Sequence, residues 1–135
     1  MFTTLAALVT TVNGLSVTGL TTQFDYRPRR ISAAQLPMMF SRIPTRKREI
    51  STLGYAQGLK AATIEIVILV EFLELSTQAT NDALAVALID TLGDVLETNA
   101  AALGMDSYEI SSDEDTIDGG TTPVQALIAS VDVSG

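Results

Sequence analysis

The 135-residue chain predicts an α+β fold: four to five mostly antiparallel strands, two helices packed on one face and a projecting hairpin arm. Two stretches carry this prediction. From Ala62 to Glu74 every even position is apolar except the last, which is typical of a strand with one buried face. From Asp82 to Glu97 apolar residues recur every three or four positions, which is typical of an amphipathic helix. This helical stripe consists of Leu84, Leu88, Leu92, Val95 and Leu96.

The polar positions of the two stretches indicate their outer faces. Glu65 and Glu71 both occupy odd strand positions, so we expect them on one face, about 20 Å apart. That distance is too long for a catalytic carboxylate pair, whose members lie within about 10 Å. The helix acids, which lie off the apolar stripe and should face water, are Asp90, Asp94 and Glu97.

The first 43 residues predict short elements. Helical spacing of apolar residues from Phe2 to Val12 predicts a helix that ends at Asn13-Gly14. Leu15 to Phe24 is a weak strand candidate, and Ser32 to Gln35 predicts a single helical turn. Met38 to Ile43 predicts a strand that closes at Pro44.

A basic, glycine-bearing stretch from Thr45 to Lys60 shows little periodicity, and we interpret residues 43–61 as the hairpin arm. The strand that follows poses a problem of length. From Ala61 to Leu75 it would extend about 50 Å at about 3.3 Å per residue. A compact domain of this size is only about 37 Å across. The strand must therefore overhang the domain, bend at a bulge or start later.

After this strand, Thr80 or Asn81 is the expected helix N-cap, and Ala100 to Gly104 should end the helix. Met105-Asp106 is expected to turn the chain.

A further strand should contain Tyr108 and Ile110, followed by an acidic hairpin loop from Ser111 to Gly120. The last strand, Val124 to Val133, is apolar on both faces, which indicates a central position in the sheet. All of this fits one domain spanning residues 1–135.

The charges are segregated along the chain. Residues 1–60 hold all eight basic residues and two acids, a net charge of +6, whereas residues 61–135 hold fourteen acids and no base. This separation favours an interaction surface, although basic and acidic segments that meet within one monomer would also explain it. The basic residues are Arg27, Arg29, Arg30, Arg42, Arg46, Lys47, Arg48 and Lys60.

Composition excludes several chemistries. With no cysteine and no histidine, the chain has no disulfide, thiol catalysis, ordinary zinc site or histidine acid–base chemistry. No glycine-rich phosphate loop is present, so we expect no enzyme, cofactor or catalytic residue. The acidic loop has Ile117 at the fifth position of a calcium loop counted from Asp113, so no metal is expected there.

Two observations disfavour membranes and nucleic acids as partners. Met1 to Gly14 lacks the basic segment of a secretory signal, and Ile64 to Val70 is too short to span a bilayer. The run Arg46-Lys47-Arg48 stands in an acidic chain without close aromatic residues, which favours a protein contact over nucleic-acid binding.

The order of elements resembles the tail terminator proteins of long-tailed bacteriophages. The matching features begin with the helix ending at Asn13-Gly14, the irregular Arg27-Pro28 segment and Ala34-Gln35-Leu36-Pro37 leading into a strand. They continue with the arm, the strand Thr63 to Phe72, the helix Asp82 to Glu97 and the final hairpin. Leu36-Pro37 is the sharpest of these matches.

The resemblance implies a structural virion protein, assembled in the host cytoplasm, that forms a ring of six copies in the neck of the particle. Such a ring caps the tail tube, stops its polymerisation and joins tail to head. Its implied partners are the tube protein below and a head-completion protein above, with DNA passing through the lumen without sequence-specific binding. A joining or completion protein of the same particle, and a small acidic adaptor that binds one partner as a monomer, remain alternatives.

Within such a ring, the basic arm and the acidic body supply two unlike patches for neighbouring subunits. The expected contact residues are Arg27, Arg29, Arg30, Arg46, Lys47, Arg48, Glu65, Glu71, Asp113, Glu114 and Asp115.

Overall fold

A computed structural model of the chain describes residues 5–24, 35–42, 45–49, 59–72, 78–117 and 122–134. It confirms the predicted α+β fold. The described elements are, in chain order, α1 (Leu5–Asn13), β1 (Thr22–Gln23), β2 (Met38–Ser41), β3 (Thr45–Glu49), β4 (Leu59–Phe72), α2 (Gln78–Thr98), α3 (Ala100–Leu103), β5 (Met105–Ile117) and β6 (Thr122–Ser134).

The strands form one mixed sheet in the order β1-β2-β4-β6-β5. β4 pairs with β6 along one of its edges. Along its other edge, β4 pairs with β3 through residues 59–63 and with β2 through residues 66–69, so the sheet is five strands across. Every pair is antiparallel except β1 with β2.

A β-bulge in β4 corrects the expectation that Glu65 and Glu71 share a face. Leu69 pairs with Ala126, but Glu71 pairs with Gln125, so Val70 is an extra residue in the ladder. A bulge shifts the alternation of faces by one residue. Glu71 therefore lies on the face opposite Glu65. The bulge also bends a strand that is too long to cross the domain straight.

The helices pack on one face of the sheet, as predicted. Ile66 of β4 and Leu92 of α2 are both fully buried in the same apolar cluster, together with Leu8 and Val12 of α1. Of the predicted stripe, Leu88, Leu92 and Leu96 are buried, while Leu84 and Val95 are partly buried. The three acids expected to face water, Asp90, Asp94 and Glu97, are exposed.

The opposite face of the sheet holds a second apolar cluster. β6 lies between β4 and β5 and contributes buried residues to both faces, which confirms its predicted central position. The buried members of this second cluster are Leu36, Met38, Phe40, Val67, Leu69, Val124 and Ala126. Towards the other end of the same face, polar residues such as Thr63, Glu65 and Ser130 replace them.

Two predicted elements of the N-terminal half differ from the structure. Only Thr22–Gln23 of the candidate strand Leu15 to Phe24 pairs in the sheet.

 Before these two residues the chain turns at Gly19 (φ 100°), and Leu15 and Val17 are buried in the helix-side cluster. Their apolar character therefore reflects packing rather than strand pairing. β2 ends at Ser41, two residues before the predicted end. Of the predicted turn at residues 32–35, only Gln35 lies within the described residues.

The C-terminal half differs at two predicted turns. Met105-Asp106 begins β5 instead of turning the chain, with a register shift between Met105 and Ser107. The predicted acidic loop is strand through Ile117, because each of its residues from Ser111 to Ile117 pairs with a residue of β6. Strand pairing therefore overrides the low strand propensity of consecutive acids.

The ends of the helices also differ slightly from their predicted positions. α2 begins at Gln78, before the expected N-caps Thr80 and Asn81. It ends at Thr98, and the separate turn α3 follows, with Gly104 as its left-handed C-cap (φ 68°). In the described part of the chain, no helix has the length and apolar character needed to cross a membrane.

Candidate functional site

The strand β5 forms an acidic edge of the sheet. It pairs with β6 along its length, and no other described strand pairs with it. Its sequence holds five acids and no base, and Asp106, Glu109 and Asp113 are exposed. The two remaining acids, Glu114 and Asp115, are paired with Gln125 and Val124 of β6. Three of the predicted contact residues, Asp113 to Asp115, therefore lie together on this edge.

The strand β3 forms a basic edge on the opposite side of the sheet. Its central residues are Arg46, Lys47 and Arg48, which pair with Ala62, Ala61 and Lys60 of β4. Among the described strands, β3 pairs with β4 alone. Leu59 and Lys60 pair with β3 but lie beyond the last paired residue of β6. The other predicted basic contacts, Arg27, Arg29 and Arg30, lie outside the described residues.

Basic and acidic segments of the monomer meet at one described ion pair. Nη1 of Arg42 lies 3.6 Å from Oε1 of Glu65, and the two side chains are 34% and 42% exposed. An ion pair this exposed contributes little to stability, at most about 1 kcal/mol. The pair joins Arg42, the residue after β2, to β4, and therefore does not neutralise either charged edge of the sheet.

Hydroxyl groups surround the carboxylate of Asp132 on the sheet face away from the helices. The hydroxyl of Thr63 donates to Oδ1 of Asp132 at 2.6 Å, and that of Ser107 donates to Oδ2 at 3.3 Å. The predicted contact residue Glu65 lies on this face, whereas the bulge places Glu71 on the other. The structure therefore does not bring these two glutamates onto one surface.

A groove between α2 and β5 lies beside the acidic edge. Its volume is about 330 Å³, and its lining residues are Ile89, Asp90, Gly93, Asp94, Glu97, Tyr108 and Ile110. Three of these residues are acids and none is basic. The α2 acids reach the groove because positions 90, 94 and 97 recur at helical spacing on the side of α2 next to β5.

Tyr108 joins the two walls of this groove. Its hydroxyl donates a hydrogen bond to Oε1 of Glu97 at 2.7 Å. This bond, burial and the nearby charges of Glu97 and Asp94 raise the pKa of the Tyr108 phenol above its ordinary value of 10.0. Sequence reasoning placed Tyr108 on a strand and the acids on a water-facing helix surface, but did not bring them together. Only the position of β5 at the sheet edge beside α2 does so.

Other candidate chemistry is limited in the described part of the chain. No group of three acidic side chains there is arranged to hold a metal ion. A second cavity, of about 440 Å³, lies between the end of α1 and the C-terminal half of α2, and Asp94 is its one charged lining residue. The surfaces with a clear chemical character are thus the two charged edges and the groove.

These features define a small α+β protein whose single sheet carries opposite charge on its two edges. Comparison of the chain with models of known protein families and with curated protein sequences finds no match.

Proposed function

We propose that the chain is a structural protein of a bacteriophage tail, which assembles into a ring as a tail terminator. One observation carries the proposal: basic β3 and acidic β5 lie at opposite edges of the same sheet. A ring requires a heterologous contact, in which one patch of each subunit binds a different patch of the next. Two edges of opposite charge supply such a pair of patches.

The same charges disfavour a two-fold dimer. In an isologous contact each patch meets its own copy. Two β5 edges would bring acids against acids, and two β3 edges would bring cations against cations, which is destabilising across paired strands. A head-to-tail contact between β3 and β5 avoids both repulsions. Electrostatics therefore favours repeated addition in one direction, which ends when the ring closes.

The order of elements adds to this support. The helix, the Leu36-Pro37 lead into β2, the long strand β4, the helix α2 and the final hairpin follow the order on which the resemblance to tail terminators depends. A fold alone does not define a function, so the proposal depends on the charged edges rather than on the topology. The proposed partners are the tail tube below the ring and a head-completion protein above it.

Net charge suits the passage of DNA through such a ring. Residues 61–135 carry fourteen acids and no base. A surface of this sign repels phosphate groups, so DNA would move past it without being held. We therefore place the protein in the neck of the virion, with no sequence-specific contact to DNA.

Native mass spectrometry and negative-stain microscopy of the purified protein, alone and with tail tubes of the same particle, test the proposal. The expected result is a closed ring of six copies, seated at the end of the tube and stopping its growth. Rings that bind heads but leave tube length unchanged would instead assign the chain to head–tail joining. A chain that stays monomeric in the presence of tubes and heads would contradict the ring and favour the monomeric adaptor.

A further inference from the structure

The groove between α2 and β5 has the chemistry of a receptor for a long cationic side chain. Ile89 and Ile110 give it an apolar wall, and Tyr108 adds an aromatic ring. The carboxylates come from Asp90, Asp94 and Glu97. Arginine and lysine place their aliphatic stems on apolar surface and their charged ends among carboxylates, and both interact with aromatic faces. A single arginine or lysine side chain is therefore the ligand that fits this groove.

The edge of β5 with which no described strand pairs lies directly beside the groove. Tyr108 and Ile110 pair with Val131 and Ala129, which belong to the helix-side cluster, so they share the face that carries α2. Glu109 and Asp113 pair with Ser130 and Ala126 on the other face. A strand added to this edge would have acids on both of its faces, from α2 on one side and from β5 on the other.

Such an edge selects a strand with cations on both faces. Successive residues of a strand point to opposite faces, so a run of three consecutive cations supplies charge to both. Arg46-Lys47-Arg48 in β3 is such a run, and β3 has no second described partner. A strand with a single cation, or with cations at alternate positions, would satisfy only one of the two acidic faces.

We infer that β3 of a second copy of this chain adds to β5, and that one of the cations of that β3 enters the groove. This inference rests on the proposed ring. The direction of addition follows from the sheet. β3, β4, β6 and β5 alternate in direction, because each adjacent pair is antiparallel. A rotation axis roughly parallel to the strands preserves their directions from copy to copy, so β3 of the neighbour runs antiparallel to β5. The sheet then continues from subunit to subunit.

Disulfide trapping tests the pairing directly, because the chain has no cysteine of its own. Two chains with one cysteine each are mixed and oxidised. One carries Lys47→Cys, and the other carries Ser107→Cys, Glu109→Cys or Ser111→Cys, three exposed positions on one face of β5. We expect one of the three to form a mixed disulfide with Lys47→Cys. Val86→Cys, at a position that is 59% exposed on α2, is the control and should form none above the background of random collisions.

The direction of pairing is tested by moving the cysteine along β3. In antiparallel pairing the residue numbers of the partners change in opposite directions. If Lys47→Cys links best to Glu109→Cys, then Glu49→Cys should link to Ser107→Cys, and Thr45→Cys to Ser111→Cys. The reverse order would show parallel addition and overturn the inferred arrangement.

The groove is tested by two matched substitutions on α2. Asp94 lines the groove, whereas Asp82 is an exposed acid of the same helix that does not. Asp94→Asn should weaken self-association about two- to fivefold, as expected for a partly exposed ion pair, and Asp82→Asn should leave it unchanged. Sedimentation velocity measures both. Weakened binding to the tail tube with unchanged self-association would assign the groove to the tube protein and contradict the inference.

The outcomes separate this inference from the proposed function. Rings without any disulfide between β3 and β5 positions would overturn strand addition and leave the ring proposal standing. A disulfide of the expected register in a chain that forms no ring, with or without tubes, would support strand addition and contradict the terminator. A chain with neither rings nor disulfides would overturn both.

Discussion

At the scale of single residues, Tyr108 is the group whose ionisation depends on its place in the groove. Its hydroxyl donates to Glu97, and that bond is the main reason for the raised pKa of the phenol. A group whose pKa is higher in the folded than in the unfolded state contributes stability below the unfolded value. The contribution of Tyr108 is therefore present below about pH 10 and is lost as the pH rises through the raised pKa.

We expect Tyr108 to titrate above its ordinary pKa, and the shift to depend on Glu97. The measurement is the ultraviolet absorbance of the phenolate in a Tyr26→Phe/Tyr55→Phe background, where Tyr108 is the one tyrosine left. Glu97→Gln removes the charge that disfavours the phenolate, so the pKa should fall back towards 10.0. Asp82→Asn serves as the control and should not change it. A Tyr108 that titrates at or below its ordinary value would contradict the hydrogen bond.

The core depends on residues that have no access to water. Ile66 and Leu92 are both 0% exposed and lie in the helix-side cluster. We expect Ile66→Asp and Leu92→Asp each to cost several kcal/mol, because each would bury an uncompensated carboxylate, against a total stability of about 5–15 kcal/mol. Val86→Asp, at the exposed control position, should change the free energy of unfolding by less than about 0.5 kcal/mol. Urea denaturation measures all three, and an unchanged midpoint for either core variant would contradict the core assignment.

At the scale of elements, the bulge in β4 shows what sequence patterns can and cannot locate. The length of the apolar stretch predicts that the strand bends, overhangs or starts later. The position of the bend at Val70 depends on the pairing of Leu69 and Glu71 with β6. The alternation of residues within β4 does not show how β4 pairs with β6, so the face predicted for Glu71 was wrong. The paired partner, rather than the strand itself, determines the face.

The acidic strand β5 shows the same dependence on a partner. Its consecutive acids are typical of a loop, yet β6 holds them in strand geometry through Ile117. The groove could not be predicted either, because it depends on β5 being the strand next to the C-terminal half of α2. By contrast, the apolar stripe of α2 and the alternation of β6 predicted their buried faces correctly, since burial follows directly from each element's own period.

We expect β5 to bind no calcium specifically. Successive strand residues point to opposite faces, so acids at neighbouring positions do not converge on one ion as the ligands of a calcium loop do. Titration calorimetry with calcium chloride should show only weak binding that disappears as salt is raised. A saturable micromolar site that is lost in Asp113→Ala and Asp115→Ala would contradict this expectation.

At the scale of the whole molecule, one sheet joins the two charged edges. Segregation of charge along the sequence predicted two unlike patches, but not their positions. The topology puts β3 and β5 on opposite sides of β4 and β6, so the edges cannot neutralise each other within the sheet. Within the described part of the chain, Arg42 and Glu65 form an ion pair inside the monomer, on the sheet face rather than at an edge. Among the described strands, β3 pairs with β4 alone and β5 with β6 alone, so neither charged edge has a second strand beside it.

Reversal of the basic edge should therefore block assembly without unfolding the monomer. In the triple variant Arg46→Glu/Lys47→Glu/Arg48→Glu, each proposed contact changes from attraction to repulsion, and the change repeats around the ring. Even about 1 kcal/mol per contact would then suppress the closed ring strongly. Circular dichroism should stay native, because the apolar clusters on both faces of the sheet are unchanged. Salt should weaken the wild-type ring, since exposed charges are screened beyond about 8 to 10 Å at physiological ionic strength.

Reversal of the acidic edge in the same chain should restore assembly. Adding Lys at all five acidic positions of β5, which are Asp106, Glu109, Asp113, Glu114 and Asp115, changes the charge of this strand from −5 to +5. The neighbour's β3 has become acidic in the triple variant, so opposite charges meet again with their positions exchanged. The five β5 substitutions alone should fail like the triple variant, because both edges are then basic. Native mass spectrometry of the three variants beside wild type measures the outcome. Rings from both single-edge reversals, or no rescue in the combined chain when it is folded, would show that the charged edges do not meet.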